Sequence, residues 1–332
     1  MRPSHRILPA RAIILAASLL GMAACDQSGP ASSKDRFITI GSGPPGAGFG
    51  PIGEAVKKIL TEHARDLGWV PNAKPNDGSI ANIRDLADAK VEFALSNSAI
   101  TLPVIRGTAT LGGQPQPAVP LAVVMNLAPN TGQFVTLAGS GIRSMADLKG
   151  KRVYLGPPAA GFENFVHPIL RAHGIDPAND LTLDTTRDQS SAITALGDGT
   201  IQAAFIGGPM PHPAITANQT TLNLELIPFD PPAVDRLLAE QPQLARVNVP
   251  ANTYRNQTEE FTALQVGFTQ IICLQDAPDQ LVYDFTRLVH THIAELPRGA
   301  GIRPETLVNP IGGPLHPAAR RYFVEAGVLP AP

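Results

Sequence analysis

One stretch of this chain occurs twice, and the repetition limits what the chain can fold into. Gly43-Pro44-Pro45-Gly46-Ala47-Gly48-Phe49 returns as Gly156-Pro157-Pro158-Ala159-Ala160-Gly161-Phe162, with Ala159 in place of Gly46. Each copy follows a short apolar run suited to a buried strand, Phe37-Ile38-Thr39-Ile40 in one case and Val153-Tyr154-Leu155 in the other. Each precedes apolar residues at helical spacing: Ile52, Val56, Ile59 and Leu60, then Phe165, Ile169 and Leu170. Both are therefore expected to be strand–loop–helix junctions. Small residues let backbone N–H groups approach a guest, and a helix N-terminus offers unpaired N–H groups to an anion. The copies stand too far apart for stacked repeats, so they read as equivalent loops on two similar lobes. Gly-Pro-Pro is also ordinary loop punctuation, and 30 Gly and 33 Pro make up nearly a fifth of the 332 residues.

The start of the chain has the layout of an export signal. Arg2, His5, Arg6 and Arg11 form a basic segment, Ala12 to Leu20 a short apolar one, and Gly21-Met22-Ala23-Ala24 supplies small residues before Cys25. Met-Ala-Ala-Cys is similar to a bacterial lipoprotein signal, which would lipidate Cys25; ordinary cleavage beside Ala24 is the alternative. Residues 26–36 then read as a polar tether. Removal of residues 1–25 takes three of the 26 Lys and Arg and leaves 23 against 28 Asp and Glu. No later run is long and apolar enough to span a bilayer. The chain is expected in the periplasm, free or held through Cys25. The absence of a Lys/Arg-rich block argues against nucleic acid as a partner. Cys273 lies in the apolar run Val266 to Leu274 and is expected to be buried and inert.

Along the chain, β-like runs alternate with helical spacing at the pace of parallel βαβ units. Helices are expected over residues 51–66, from a cap at Ser79, over 190–196, near 233–239, from Pro278 to His292 and over 318–326. Strands are expected at 37–40, around Trp69, at 91–95, 121–127, 134–137, 153–155, 181–183, 201–206, 222–227 and 264–274. Pro129-Asn130-Thr131-Gly132 separates two of these and reads as a hinge. The domain layout is residues 37–128 plus 262–332 for the first lobe and 129–261 for the second. In open α/β sheets ligands sit outside the carboxyl ends of strands, which is where the repeated loops fall.

Several chemistries are argued against. Gly41-Ser42-Gly43-Pro44-Pro45-Gly46 matches G-x-G-x-x-G, but Pro44 and Pro45 lack the N–H groups a pyrophosphate needs, and no acidic residue ends the next strand. His290 and His292 are two apart on a helix and diverge, without a Cys or carboxylate cluster, so no metal is expected. His316 reads as a helix cap. No G-x-S-x-G or similar nucleophile motif occurs, so no enzyme is expected, and no cofactor. What remains is a set of small polar residues at strand ends and helix starts: Ser42, Ser79, Asn82, Ser96, Asn97 and Ser98. Each is more often an ordinary cap. With the loops they describe a polar, uncharged pocket for a small acid, and Phe49 and Phe162 pack on the ligand or in the core.

Phe37 to Gly53, Asp77 to Asn82, Ser144 to Val153, Gly156 to Gly161, Gly207-Gly208-Pro209 and Pro314-Leu315-His316-Pro317, taken in order, resemble one family. It is the TAXI-type solute receptors of TRAP transporters, which are NMT1-like periplasmic binding proteins. The resemblance implies an α/β, two-lobed type II periplasmic binding protein fold, with two Rossmann-like lobes joined by hinge strands. It implies a monomer that closes on a small carboxylate and delivers it to an integral-membrane TRAP permease. A lipoprotein presenting its ligand to a sensor kinase, or a secreted enzyme on the same fold, are the other readings. Carried over by position, the ligand loops comprise Ser42, Gly46, Ala47, Gly48 and Phe49; Ser79 with Asn82; Ser96, Asn97 and Ser98; Ala159, Ala160, Gly161 and Phe162; and Gly207, Gly208 and Pro209.

The chain departs from the family pattern at three places. A tyrosine common near Phe49-Gly50 is missing, Asn97-Ser98 stands where Ser-Asp is frequent, and Ala159-Ala160-Gly161-Phe162 replaces Gly-Ser-Gly-Thr. Hydroxyls are lost, and so is a carboxylate that would pair with an amino group. The expected ligand is therefore a 2-oxo, hydroxy or dicarboxylic acid rather than glutamate. With no Arg in the loops, helix N-termini would hold the acid, and Arg187 could supplement them.

Overall fold

The computed structural model describes residues 35–43, 48–186, 188–241, 243–297, 302 and 304–331. Cys25, residues 26–34 of the expected tether, Gly46, Ala47 and Arg187 lie outside the described residues, and Arg36, expected in the tether, instead begins β1. The chain opens with alternating elements: β1 (Arg36–Gly41), α1 (Phe49–His63), β2 (Trp69–Lys74), α2 (Ser79–Ala87), β3 (Phe93–Asn97) and α3 (Ser98–Ile105). A hairpin follows, β4 (Thr110–Leu111) with β5 (Gln114–Pro115), and then β6 (Leu121–Leu137). Next come β7 (Arg152–Tyr154), α4 (Glu163–Ala172), α5 (Pro177–Asp180), β8 (Thr182–Asp184), α6 (Gln189–Gly197), β9 (Ala203–Gly208) and α7 (Pro213–Asn218). They lead to β10 (Leu224–Ile227), α8 (Pro231–Glu240), β11 (Ala245–Val249) and β12 (Phe261–Leu274). The chain finishes with α9 (Asp279–Thr291), α10 (Pro304–Leu307) and α11 (Pro317–Glu325).

All of these strands except β4 and β5, which pair only with each other, form one curled sheet in the order β2-β1-β3-β12-β6-β9-β7-β8, with β10 beside β6 and β11 beside β12. The fold is α/β, as expected. Parallel pairing holds at both ends, β1 with β2 and β3, and β7 with β8 and β9. β12 joins the two ends by running antiparallel to both β3 and β6. The helices bury the faces their spacing predicts. In α9, Leu281, Val282, Phe285, Leu288 and Val289 are all buried, and Phe285 stacks on Phe93 of β3 with ring centroids 3.7 Å apart.

The expected break at Pro129–Gly132 is absent. β6 is one strand of 17 residues, and pairing passes through Pro129, Thr131 and Gly132. Proline has no N–H for the ladder, and the irregularity is taken up on the partner strand. The register of β12 shifts between Gln265 and Phe268 and again before Gln270, around Gly267 at φ +93°. Helices α3, α5, α7 and α10 were not anticipated, nor were β11 and the β4–β5 hairpin closed by Gly112 and Gly113 at φ +57° and +73°.

Candidate functional site

The carboxyl ends of β1, β3, β7 and β9 face one cavity of about 80 Å³, walled by residues from both ends of the sheet. A water needs roughly 10–15 Å³ of such space, so the cavity suits a small organic molecule. The repeated loops build two of its walls in the same way. A Cβ on Gly43 would stand 2.9 Å from Cβ of Phe49, and one on Gly156 would stand 2.5 Å from the ring of Phe162. In each copy the terminal phenylalanine thus folds over the first glycine of its own loop, which no larger residue allows. The helices then start alike: Gly48 has φ −59°, ψ −29° and Phe162 has φ −59°, ψ −27°, one residue out of register with the sequence repeat.

Those two helix starts share a property with α2. Gly48, Gly78 and Phe162 occupy the N-cap positions of α1, α2 and α4, and none supplies a side-chain acceptor to the first turn. All three residues, or their immediate neighbours Phe49 and Ser79, line the cavity. Helices α3, α5, α6, α7, α8 and α11 are instead capped by Asn97, Asp176, Asp188, His212, Asp230 and His316, while α9, whose start does not line the cavity, also lacks a side-chain cap. First-turn N–H groups without a partner carry the positive end of the helix dipole. Three such ends converge on the cavity, α4 with fewer free groups because its Asn164 and Phe165 N–H groups donate to Gly161 O and Phe162 O (both 3.1 Å).

The two ends of the sheet touch around it. A Cβ on Gly78 would lie 2.9 Å from the Cα of Ala160, and one on Gly161 would meet Ile80 at 2.8 Å. Gly48 faces the ring of Pro209 in the same manner. On the outside, the β4–β5 hairpin grips the first turn of α4. Thr110 N–H donates to Asn164 Oδ1 (2.9 Å), Asn164 Nδ2 donates to Thr110 O (3.1 Å), and Gly112 N–H donates to Glu163 (2.7 Å).

Of the residues selected from sequence, Gly48, Phe49, Ser79, Asn97, Ala160, Phe162, Gly207 and Gly208 line the cavity. Ser79 does not cap α2; its hydroxyl accepts from Asn97 N–H (3.1 Å) and ties α2 to the end of β3. Asn97 Oδ1 accepts from Ala99 N–H (2.8 Å), and its Nδ2 donates to Val266 O (2.9 Å). Four others form a layer behind the wall. Asn82 Nδ2 donates to Ser42 O (2.9 Å) and Leu95 O (2.8 Å), stapling β1 to β3. Thr101 donates to Ser96 Oγ (2.9 Å), and Phe268 N–H donates to Ser98 Oγ (2.9 Å). Ala159, Gly161 and Pro209 are also outside the wall, the latter two at the contact between the ends of the sheet.

Sequence reasoning missed Tyr154, Asn130, Gln189, Phe165, Val266, Asp77 and Asp188, all in the wall. Tyr154 had a signal, since it ends the strand that feeds the second loop. Gln189 follows the α6 cap and closes a two-bond staple with Gly207, accepting from its N–H (2.7 Å) and donating to its O (3.1 Å). Val266 reaches the wall through the irregular stretch of β12, which no local pattern announces. Asp77 and Asp188 are exposed and are the only charged residues among the described wall residues. The expectation of an uncharged pocket is corrected accordingly: its interior is neutral, but its mouth carries carboxylates. Tyr154 is fully buried, and its hydroxyl is the one buried side-chain polar atom of the described wall without a hydrogen-bond partner. Burial, and then the negative charges of Asp188 and Asp184, push its ionisation far above the ordinary phenol range.

Away from the cavity, His63, His292 and Glu295 bring ligand-type atoms within 4.8 Å of one another. The two imidazoles stack face to face at 3.5 Å with a 10° tilt. Their in-plane lone pairs lie in parallel sheets and cannot both meet one ion at bonding distance without a ring turning. Glu295 is moreover held by His292 (2.9 Å) and Lys58 (3.5 Å).

The fold recurs in solved proteins. A protein from Bordetella bronchiseptica RB50 is 13% identical with a TM-score of 0.55, covering 89% of this chain and 99% of that one. The alkanesulfonate-binding protein SsuA from Xanthomonas axonopodis pv. citri, bound to MOPS, is 13% identical with a TM-score of 0.46, covering 90% and 82%. The periplasmic aliphatic sulphonate binding protein SsuA from Escherichia coli is 14% identical with a TM-score of 0.44, covering 87% and 83%. The profile of the NMT1-like family matches residues 40–327, from the end of β1 to beyond α11. This chain belongs to the NMT1-like family.

Proposed function

We propose that the protein is an exported solute-binding receptor that encloses a small organic acid in the cavity and passes it to a TRAP-type membrane permease. The observation that carries this reading is the set of three uncapped helix N-termini, α1, α2 and α4, at one neutral cavity. Oriented N–H groups in a desolvated site hold a carboxylate without a cationic side chain. The resemblance to TAXI-type receptors supports the transporter class. Residues 37–128 with 262–332 act as one lobe and 129–261 as the other. β6 and β12 serve as the hinge strands, with the irregular pairing around Gly267 as the flexible point. The contacts of Gly78 with Ala160 and Gly48 with Pro209 describe the closed arrangement.

Asp77 and Asp188 at the mouth repel a second carboxylate, so the ligand carries one acid group and an apolar body suited to Phe162, Phe165 and Val266. The thermal unfolding of the exported protein tests this with 4-methyl-2-oxopentanoate, 2-oxoglutarate, leucine and glutamate. A monocarboxylate at 100 times its Kd should add about 2.7 kcal/mol of stability. Absence of a shift with every acid overturns the carboxylate reading; a larger shift with the dicarboxylates overturns the role given to the acidic mouth.

A further inference from the structure

We propose that Tyr154 reads an oxygen on the carbon beside the ligand's carboxylate, so that the pocket selects 2-oxo and 2-hydroxy acids over acids lacking that oxygen; this rests on the receptor reading above. The argument begins with which polar groups of the wall are already engaged. Asn97 is spent on Ala99 and Val266 and Gln189 on Gly207, while the Ser79 hydroxyl is engaged as an acceptor from Asn97 N–H. Tyr154 Oη has no partner, although the residue is fully buried. A hydroxyl stripped of water and left unbonded is unfavourable, so such groups in native structures ask for an explanation. Here the explanation is a guest that supplies the missing partner.

Position fixes which part of the guest that is. Tyr154 ends β7, with Asp184 and Ala204 as its neighbours on the flanking strands. The loop directly after it leads into α4, one of the three helix starts assigned to the carboxylate. Tyr154 therefore lines the same wall as the helix start assigned to the acid group.

Chemistry fixes the kind of atom. Burial and the nearby carboxylates of Asp188 and Asp184 keep the phenol protonated, so it presents a hydrogen that needs an acceptor. A keto or hydroxyl oxygen accepts it. An ammonium group cannot, and a methylene leaves it unpaired. Asn130 adds a second donor to the wall: its Oδ1 accepts from Thr269 (3.1 Å), while its Nδ2 has no partner among the described residues. A site built around donors discriminates by leaving them unpaired when the wrong ligand enters.

The test compares the exported wild-type protein and Y154F by calorimetric titration. The probes are butanoate and 4-methylpentanoate, each as the plain, 2-hydroxy and 2-oxo acid. Wild type should prefer the oxygenated acids by tenfold or more. Y154F should lose that preference by weakening only the oxygenated acids, with the plain acids bound as before. Without ligand, Y154F should melt at or above the wild-type temperature, because it removes a group that bonds to nothing. A preference that survives in Y154F, an equal loss for plain and oxygenated acids, or a melting temperature several degrees lower without ligand would each overturn the assignment. If wild type binds none of the six, the monocarboxylate reading itself fails and the assignment falls with it.

Discussion

His212 shows how one buried side chain sets a pH limit. It is 1% exposed, its Nδ1 accepts from Ala214 N–H (3.1 Å) at the start of α7, and burial pushes its pKa down to about 4. The unfolded chain would protonate it near 6.5, so the folded state binds fewer protons in between. Its contribution is fully present above about pH 6.5 and is lost as pH falls toward about 4, a difference of about 3 kcal/mol. Burial lowers His167, His173 and His290 as well, so they act in the same direction. In H212N the asparagine still accepts from the α7 N-terminus but does not titrate. Urea unfolding at pH 7 and pH 4.5 should then differ less in H212N than in wild type; an equal pH loss in both would refute this account. Gly78 poses a steric test at the same scale. It combines φ +120° with a 2.9 Å approach to the backbone of Ala160, whereas Gly139, at φ +79°, has open space around a Cβ. G139A should cost about 1 kcal/mol from backbone strain alone. G78A should cost about 2–4 kcal/mol, from strain plus displaced backbone. It should also weaken acid binding, because the cavity wall is forced open. Equal stability of the two variants would show that the Gly78–Ala160 contact yields freely.

Among the elements, the hairpin β4–β5 and helix α4 form the outer clasp of the cavity. Asn164 is its centre, exchanging two bonds with Thr110 and donating to Gly161 O (2.9 Å). N164A should lower stability by about 2–3 kcal/mol in chemical denaturation, counting about 1 kcal/mol for each bond. Amide exchange should speed up at Thr110. Unchanged protection there would mean that apolar packing, not Asn164, holds the hairpin. The elements also show what local pattern conveys. Helices such as α9 were legible because apolar residues recur at 3.6-residue spacing. The hairpin was overlooked although Gly112-Gly113 is a recognised two-residue turn, since strands of two residues carry no periodicity. The break expected at Pro129 failed for a different reason. A strand continues past a proline when its partner absorbs the irregularity, and that partner, β12, lies more than a hundred residues away.

Across the whole molecule, β6 and β12 make the two ends of the sheet one object. β6 pairs with β12 through Leu121–Gly132 and with β9 through Thr131–Val135, so any relative movement of the ends must pass through these strands. The irregular register near Gly267 stands beside the cavity, next to Val266 in the wall and against Asn97. Under the proposed function, the ligand and the hinge would share the same few residues. On this layout the stabilisation expected with a monocarboxylate is a property of the closed molecule, because each end contributes uncapped helix starts and neither encloses the acid alone.

By itself the sequence determined the alternation of strands and helices and the repeated glycine loops at strand ends. Those depend on residue type and on neighbours a few positions away, through hydrophobic period and backbone freedom. Only the tertiary structure decided which polar residues face the cavity. Ser42, Asn82, Ser96 and Ser98 sit at strand ends or in the first turns of helices as a site residue would, yet their hydrogen bonds are spent holding β1, α2, β3, α3 and β12 together. Tyr154 reads as a core residue, yet its hydroxyl has no partner. Whether a polar atom is satisfied depends on what distant segments bring to it, and no stretch of sequence contains that information.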